Sequence, residues 1–323
     1  MKKHFLFIGI LSLTACANLK QTSQSKSLDE VKHITTEASI KSHVSYLASD
    51  ELTGRDTGTE GVDKAATYLS DEFEDYGIKP YFSSYRDSFK IESKYGYNVV
   101  GYLEGSDEKL KEDIFIIGAH YDHIGFSGRG KSAKDSIANG ANDNASGVAT
   151  VLELAKYFAA HPPKRSVLFV LFSAEEIGLL GAKHLAKRFK SMNQPIYAVF
   201  NIEMVGVPLK NADYSAFLTG YNRSTMAERF NHYSGKKVLG FSREAAKMEL
   251  FKRSDNYPFF TELNIPSQTI CTFNFTNYEY YHHVKDETQH QDFSHMNYLI
   301  TDLTKGLSGL LNEEKSSIQL LEK

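Results

Sequence analysis

Three hydrophobic runs, Ile114–Gly118, Ser166–Phe172 and Ile196–Ile202, alternate with two helical patterns, Ser146–Ala160 and Ile177–Phe189. That order leaves few folds open. Parallel strands cannot be joined by a tight turn, so each crossover carries a helix that covers one face of the sheet. Val167 to Phe172 are all apolar, as befits a strand buried on both faces. The expected class is α/β, a three-layer α/β/α sandwich around a mixed, mainly parallel sheet. A further strand is expected over Tyr97–Leu103 and an amphipathic helix over Met296–Leu311. Within Leu28–Tyr76, Ala65, Ala66, Leu69 and Phe73 recur at helical spacing around a turn-rich segment, Asp50–Arg55. Ser234–Asn256 and Thr272–His290 read as long functional loops.

The N-terminus reads as a separate element. Lys2 and Lys3 precede an apolar run, Phe5 to Leu13, too short to span a bilayer. Leu13-Thr14-Ala15-Cys16 resembles a bacterial lipoprotein signal. The expectation is a signal peptide over 1–15, lipidation of Cys16, a polar tether over 16–27 and one domain over 28–323. The mature protein would be exported and held to a bacterial membrane by lipid alone, facing periplasm or exterior. Cys271 is then the one remaining cysteine, which excludes an intramolecular disulfide. It reads as a buried small hydrophobe. A net charge of -3 argues against nucleic acid as a partner. Nothing calls for an obligate protein partner.

Side chains that bind metals stand at or beyond the ends of the hydrophobic runs. His120 follows the first run within Gly118-Ala119-His120-Tyr121-Asp122-His123. In extended chain, residues two apart share a side, so Asp122 can accept a hydrogen bond from the His120 imidazole, as metal-bound histidines require. His123 is expected to point elsewhere, as a loop residue. Asp143, in Gly140-Ala141-Asn142-Asp143-Asn144, precedes a helix and could be a simple cap. Glu175 and Glu176 follow the most apolar run, where one can bind a metal while the other serves a water. The helix dipole would also favour them there. Glu203 ends the last run, and His282 lies in an aromatic stretch, Tyr280-Tyr281-His282-His283.

Taken in order, these motifs resemble the co-catalytic two-zinc aminopeptidases, the family that also holds aminopeptidase Y, glutamate carboxypeptidase and glutaminyl cyclases. The resemblance runs from Tyr46-Leu47-Ala48-Ser49-Asp50-Glu51-Leu52-Thr53-Gly54-Arg55 to about Thr288. It implies a zinc-exopeptidase (phosphorylase/hydrolase-like) fold and two zinc ions, replaceable by other divalent cations. Asp143 would bridge the ions, His120 and Glu203 would complete one site, and Glu176 and His282 the other. Glu175 would be the general base, Asp122 the support of His120, Tyr281 the oxyanion partner and Arg253 a substrate-binding residue. The family more often has Asp where this chain has Glu203. The implied reaction is hydrolysis of the peptide bond after a free N-terminal residue, by a water held between the metals.

Gly125-Phe126-Ser127-Gly128-Arg129-Gly130-Lys131-Ser132 matches a phosphate-binding pattern, but the strand has already ended and no long helix follows. It reads as a mobile basic loop. Neither H-E-x-x-H nor G-x-S-x-G occurs, which removes the common zincin and serine-hydrolase readings. Two rivals remain. One is a glutaminyl-cyclase-like acyltransferase using one zinc, and the other a non-catalytic peptide-binding surface lipoprotein. The five aromatics of Phe273–Tyr281 could line a pocket for an apolar first residue or belong to the core.

Overall fold

A computed structural model describes residues 35–133, 135–314 and 316–321. The signal peptide, Cys16 and tether expected at the N-terminus lie outside the described residues. Nine strands form one sheet among those described. They are β1 (Lys79–Pro80), β2 (Arg86–Ile91), β3 (Lys94–Leu103), β4 (Ile114–His120), β5 (Val167–Phe172), β6 (Ile196–Glu203), β7 (Ala216–Leu218), β8 (Leu239–Gly240) and β9 (Ser267–Cys271). The order is β1-β3-β5-β4-β6-β9-β7-β8, with β2 also beside β3. The four central strands, β5, β4, β6 and β9, are mutually parallel. β3 and β7 flank them antiparallel.

The helices are α1 (Glu37–Leu47), α2 (Glu60–Asp75), α3 (Gly147–Ala160), α4 (Leu180–Ser191), α5 (Met226–Ser234), α6 (Arg243–Lys247), α7 (Asn256–Leu263) and α8 (Phe293–Asn312). Strand alternation sorts the core into two faces. Phe115, Ile117, Phe169 and Leu171 pack with α1, α2, α3, α5 and α8. Ile114, Ile116, Leu168 and Val170 pack with Ala182, Leu185 and Phe189 of α4 and Phe259 of α7. Every residue of β4 and β5 is buried, and each large side chain so placed stabilises the fold by about 1.5–3 kcal/mol. The result is the expected α/β/α sandwich.

Two expectations change. The helix after β5 begins at Leu180 and not at Ile177, because Gly178 N and Leu179 N close a turn on Glu175 O, each at 2.9 Å. Glu175 and Glu176 therefore precede the helix by several residues, and the dipole reading falls away. Ser234–Asn256 is only partly loop, since it contains β8 and α6. β9 escapes a pattern search because Ser267, Gln268 and Thr269 are polar yet buried. Side-chain partners satisfy them: Thr269 Oγ1 donates to Asn256 Oδ1 at 2.7 Å, and Gln268 Nε2 to Gly220 O at 2.6 Å.

Candidate metal centre

The carboxyl edge of the parallel strands is where open α/β sheets present loops to ligands. β4 ends on His120, β6 ends on Glu203, and the turn after β5 carries Glu175 and Glu176. Asp143 lies in the loop that leads into α3, and His282 in the long loop after β9. All five residues with donor groups expected to hold metal meet there. His120 Nε2 lies 3.3 Å from Asp143 Oδ1 and 3.0 Å from Glu203 Oε1. His282 Nε2 lies 3.2 Å from Asp143 Oδ2 and 3.0 Å from Glu176 Oε2. Asp143 thus offers one oxygen to each cluster. Donors about 2.1 Å from a tetrahedral zinc stand roughly 3.4 Å apart, close to the spacing within both clusters. The buried Nε2 of His282 makes no hydrogen bond despite its two near carboxylates. An undirected approach of this kind suits donors facing a shared ion. Imidazole with carboxylate is zinc chemistry, whereas calcium would demand more oxygens.

His123 departs from its expected place. Strand alternation stops at His120, and the irregular chain beyond it turns His123 back into the site. The ring is fully buried, with Nδ1 2.9 Å from Glu176 Oε1 and 3.9 Å from Asp143 Oδ2. Asp122 also acts differently from the expected pairing. His120 Nδ1 pairs with the backbone oxygen of Asp122 at 3.1 Å, while the carboxylate lies 3.7 Å away. That carboxylate instead accepts from the backbone N–H of Glu175 at 3.1 Å and of Glu176 at 3.4 Å. Asp122 therefore locks the turn that presents both glutamates.

Other positioning residues had little or no signal in the sequence. Asp286 accepts from the backbone N–H of Asn142 at 2.7 Å and of Asp143 at 3.0 Å. Ser254 Oγ donates to Glu203 Oε2 at 2.8 Å, which aims the longer glutamate. Asn144 ties its loop to β6, donating to Ile202 O at 2.9 Å and accepting from Met204 N at 3.0 Å. The segment matching a phosphate-binding pattern is pinned. Ser127 Oγ donates to His282 O at 2.8 Å, and the Arg129 guanidinium donates to Tyr281 O.

Arg55 is the largest fully buried side chain beside the centre. Its guanidinium donates to Leu47 O, to Tyr121 O at 2.7 Å, to Asn139 O at 2.7 Å and to Gly140 O at 3.0 Å. It therefore clamps the chain just after His120 to the chain just before Asp143. Burial lowers its pKa to about 10, still far above neutrality. Arg55→Ala is expected to cost about 3–5 kcal/mol, because buried carbonyls lose their only charged donor. Denaturant unfolding measures this, and a loss under about 1 kcal/mol would contradict the clamp.

The electrostatics follow from the crowding of acids. Burial, then the nearby Glu203 and Asp255, holds Glu175 well above the ordinary carboxylate range, although His120 opposes them. Burial disfavours the charged form of His282, yet Asp143 and Glu176 prevail and push it up to about 10. Cations would reverse both tendencies, drawing the proton from His282 and favouring ionised Glu175. A recess opens beside the centre, lined by Glu175, Glu203, Met204, Leu250, Arg253, Phe273, Phe275 and Tyr281, among others. The Tyr281 ring stacks on His282 with centroids 4.0 Å apart. The aromatic stretch therefore divides, since the Tyr278 hydroxyl turns inward to Asp286 at 2.6 Å.

A family model described as "Peptidase family M28" matches residues 98–301. A probable zinc metalloprotease of Phaeosphaeria nodorum is 29% identical over 202 residues, covering 55% of this chain and 40% of that protein. The match thus spans less than half of that relative. Among solved structures, the LapA aminopeptidase of Legionella pneumophila superposes with a TM-score of 0.69 at 21% identity, over 98% of this chain and 81% of that one. Porphyromonas gingivalis glutaminyl cyclase gives 0.64 at 15% identity, over 85% and 98% respectively. At such identities these two likenesses speak for the fold.

Proposed function

The chain belongs to peptidase family M28, and from that premise we propose that it is a two-zinc aminopeptidase. One observation carries the reading: two clusters of imidazole and carboxylate donors share Asp143, with Glu175 in the adjoining recess. His120, Asp143 and Glu203 would hold one ion, and Asp143, Glu176 and His282 the other. When bound, the metal pair would supply Lewis acidity, making water acidic near neutral pH and polarising the scissile carbonyl. Glu175 would take the proton of the attacking water and return it to the leaving amine. Burial raises the Tyr281 pKa, so its hydroxyl stays protonated and can donate to the developing oxyanion. Glu203 and Glu175 make the recess acidic, which favours a substrate carrying a free α-ammonium. Arg253 is exposed and lines the same recess, as a substrate-binding residue would. Met204, Leu250, Phe273 and Phe275 give an apolar wall for the first side chain.

Aminoacyl-fluorophore substrates, free and N-acetylated, with and without chelator, test this reading. Cleavage of free leucyl and phenylalanyl substrates, lost with chelator or acetylation, is expected. Equal cleavage of acetylated substrate would refute the aminopeptidase assignment. Cyclisation of a glutaminyl peptide to pyroglutamate would favour the acyltransferase, whose fold this chain shares. Absence of bound metal would favour a non-catalytic binding protein.

No helix among the described residues is long and apolar enough to cross a membrane. Membrane attachment is proposed through lipid on Cys16. Labelled fatty acid should enter the wild type and not Cys16→Ser, and equal incorporation in both would exclude that residue as the anchor.

A further inference from the structure

The two metal positions are not built alike. At the first, His120 Nε2, Asp143 Oδ1 and Glu203 Oε1 gather within contact distance, and Glu203 Oε2 is already engaged by Ser254. This is a three-donor set. At the second, four residues, His123, Asp143, Glu176 and His282, each present a donor atom within 4.8 Å of the others. His123 Nδ1 stands to Glu176 Oε1 at 2.9 Å much as His120 Nε2 stands to Glu203 Oε1 at 3.0 Å. The two oxygens of Glu176 face different imidazoles, His123 at 2.9 Å and His282 at 3.0 Å. The rings of His123 and His282 lie 5.6 Å apart and cross at 73°, an arrangement two imidazoles on one ion can adopt. Nδ1 is the ring nitrogen with partners, because Nε2 of His123 makes no hydrogen bond.

We infer that His123 is a fourth protein donor at the second metal position, which makes the pair of sites unequal. The inference rests on the two-zinc reading above. Four protein donors close a tetrahedral zinc site, whereas three leave a position for water or substrate. The second position then holds its ion the more firmly and keeps Asp143 and His282 in place, meeting the shared water only as a fifth ligand, while the first is the more open to a substrate oxygen. His123 is itself held by the fold, since its backbone N–H donates to Arg55 O at 3.2 Å.

Zinc titration of the metal-free full chain should show one tight and one weaker equivalent, and chelator should withdraw zinc in two phases. His123→Asn decides the role of the ring. The asparagine amide can still donate to Glu176, but it is a poor zinc donor. Loss of more than about 100-fold in affinity at the tighter site, beyond what an outer hydrogen bond is worth, is expected. Two equivalents bound by this variant as tightly as by wild type would overturn the inference. A crystal structure of the zinc-loaded wild type reads the same point without a variant. Nδ1 about 2.1 Å from the second ion supports it, and Nδ1 bonded only to Glu176 overturns it. These readouts are metal affinity and geometry. A chain that binds both ions this way but cleaves no peptide would sink the aminopeptidase proposal and leave this inference standing.

Discussion

Glu175→Gln is expected to retain two zinc ions and the native fold while lowering kcat by about 10²–10⁴-fold, the usual contribution of a general base. The substitution keeps side-chain volume and removes only the ability to take a proton. The backbone there is held by the Asp122 carboxylate at 3.1 Å, which the change does not touch. Glu175 is outside both donor clusters, so metal content should stay at two equivalents by elemental analysis. A pH profile adds a second reading. The base must be ionised, so turnover in the wild type rises with pH as Glu175 loses its proton, and that limb should vanish in the variant. Its acid side is displaced upward by burial and by the nearby carboxylates, and downward by bound cations. More than a tenth of wild-type kcat in Glu175→Gln would remove it from the role of base.

Asp143→Ala is expected to have the larger effect on metal. Among the described residues no other belongs to both clusters, with Oδ1 3.3 Å from His120 and Oδ2 3.2 Å from His282. Removing it takes a donor oxygen from each ion and the one negative charge they share, whereas losing Glu203 or Glu176 disarms one. Zinc content should fall below one equivalent after gel filtration, with activity lost in parallel. Stability supplies an independent check. A ligand that binds only the folded state adds about 4 kcal/mol at 1,000 times its Kd. That zinc-dependent gain should be present in wild type and absent in Asp143→Ala. Full retention of two zinc ions would contradict the shared-carboxylate centre.

The parts of the site legible in the sequence are those attached to strong periodic signals. His120, Glu175, Glu176 and Glu203 stand out as candidates because apolar runs end beside them, and the strands end in the structure at His120, Phe172 and Glu203. Asp143 and His282 needed their partners to stand out, since an aspartate before a helix and a histidine among aromatics have ordinary explanations. Alternation misplaced His123 because it applies only while the chain is extended. It also assigned His120 to the wrong oxygen of Asp122, since the chain leaves the strand between the two residues. The basic loop at Gly125 carried no periodicity at all, and its contacts with His282 and Tyr281 are made across some 150 residues of sequence.

From the sequence alone came the strand and helix alternation, the buried parallel centre of the sheet and the edge on which the donor side chains gather. Apolar patterning acts over a few residues and is written directly into the chain. Tertiary structure alone decided which nitrogen meets which oxygen. Arg55, Asp286, Ser254 and Asp122 aim the donor groups through hydrogen bonds from distant segments, and these depend on how loops cross after the sheet has formed. An imidazole moved by a few ångströms exchanges a ligand for a bystander, and no local pattern of residues encodes a displacement that small.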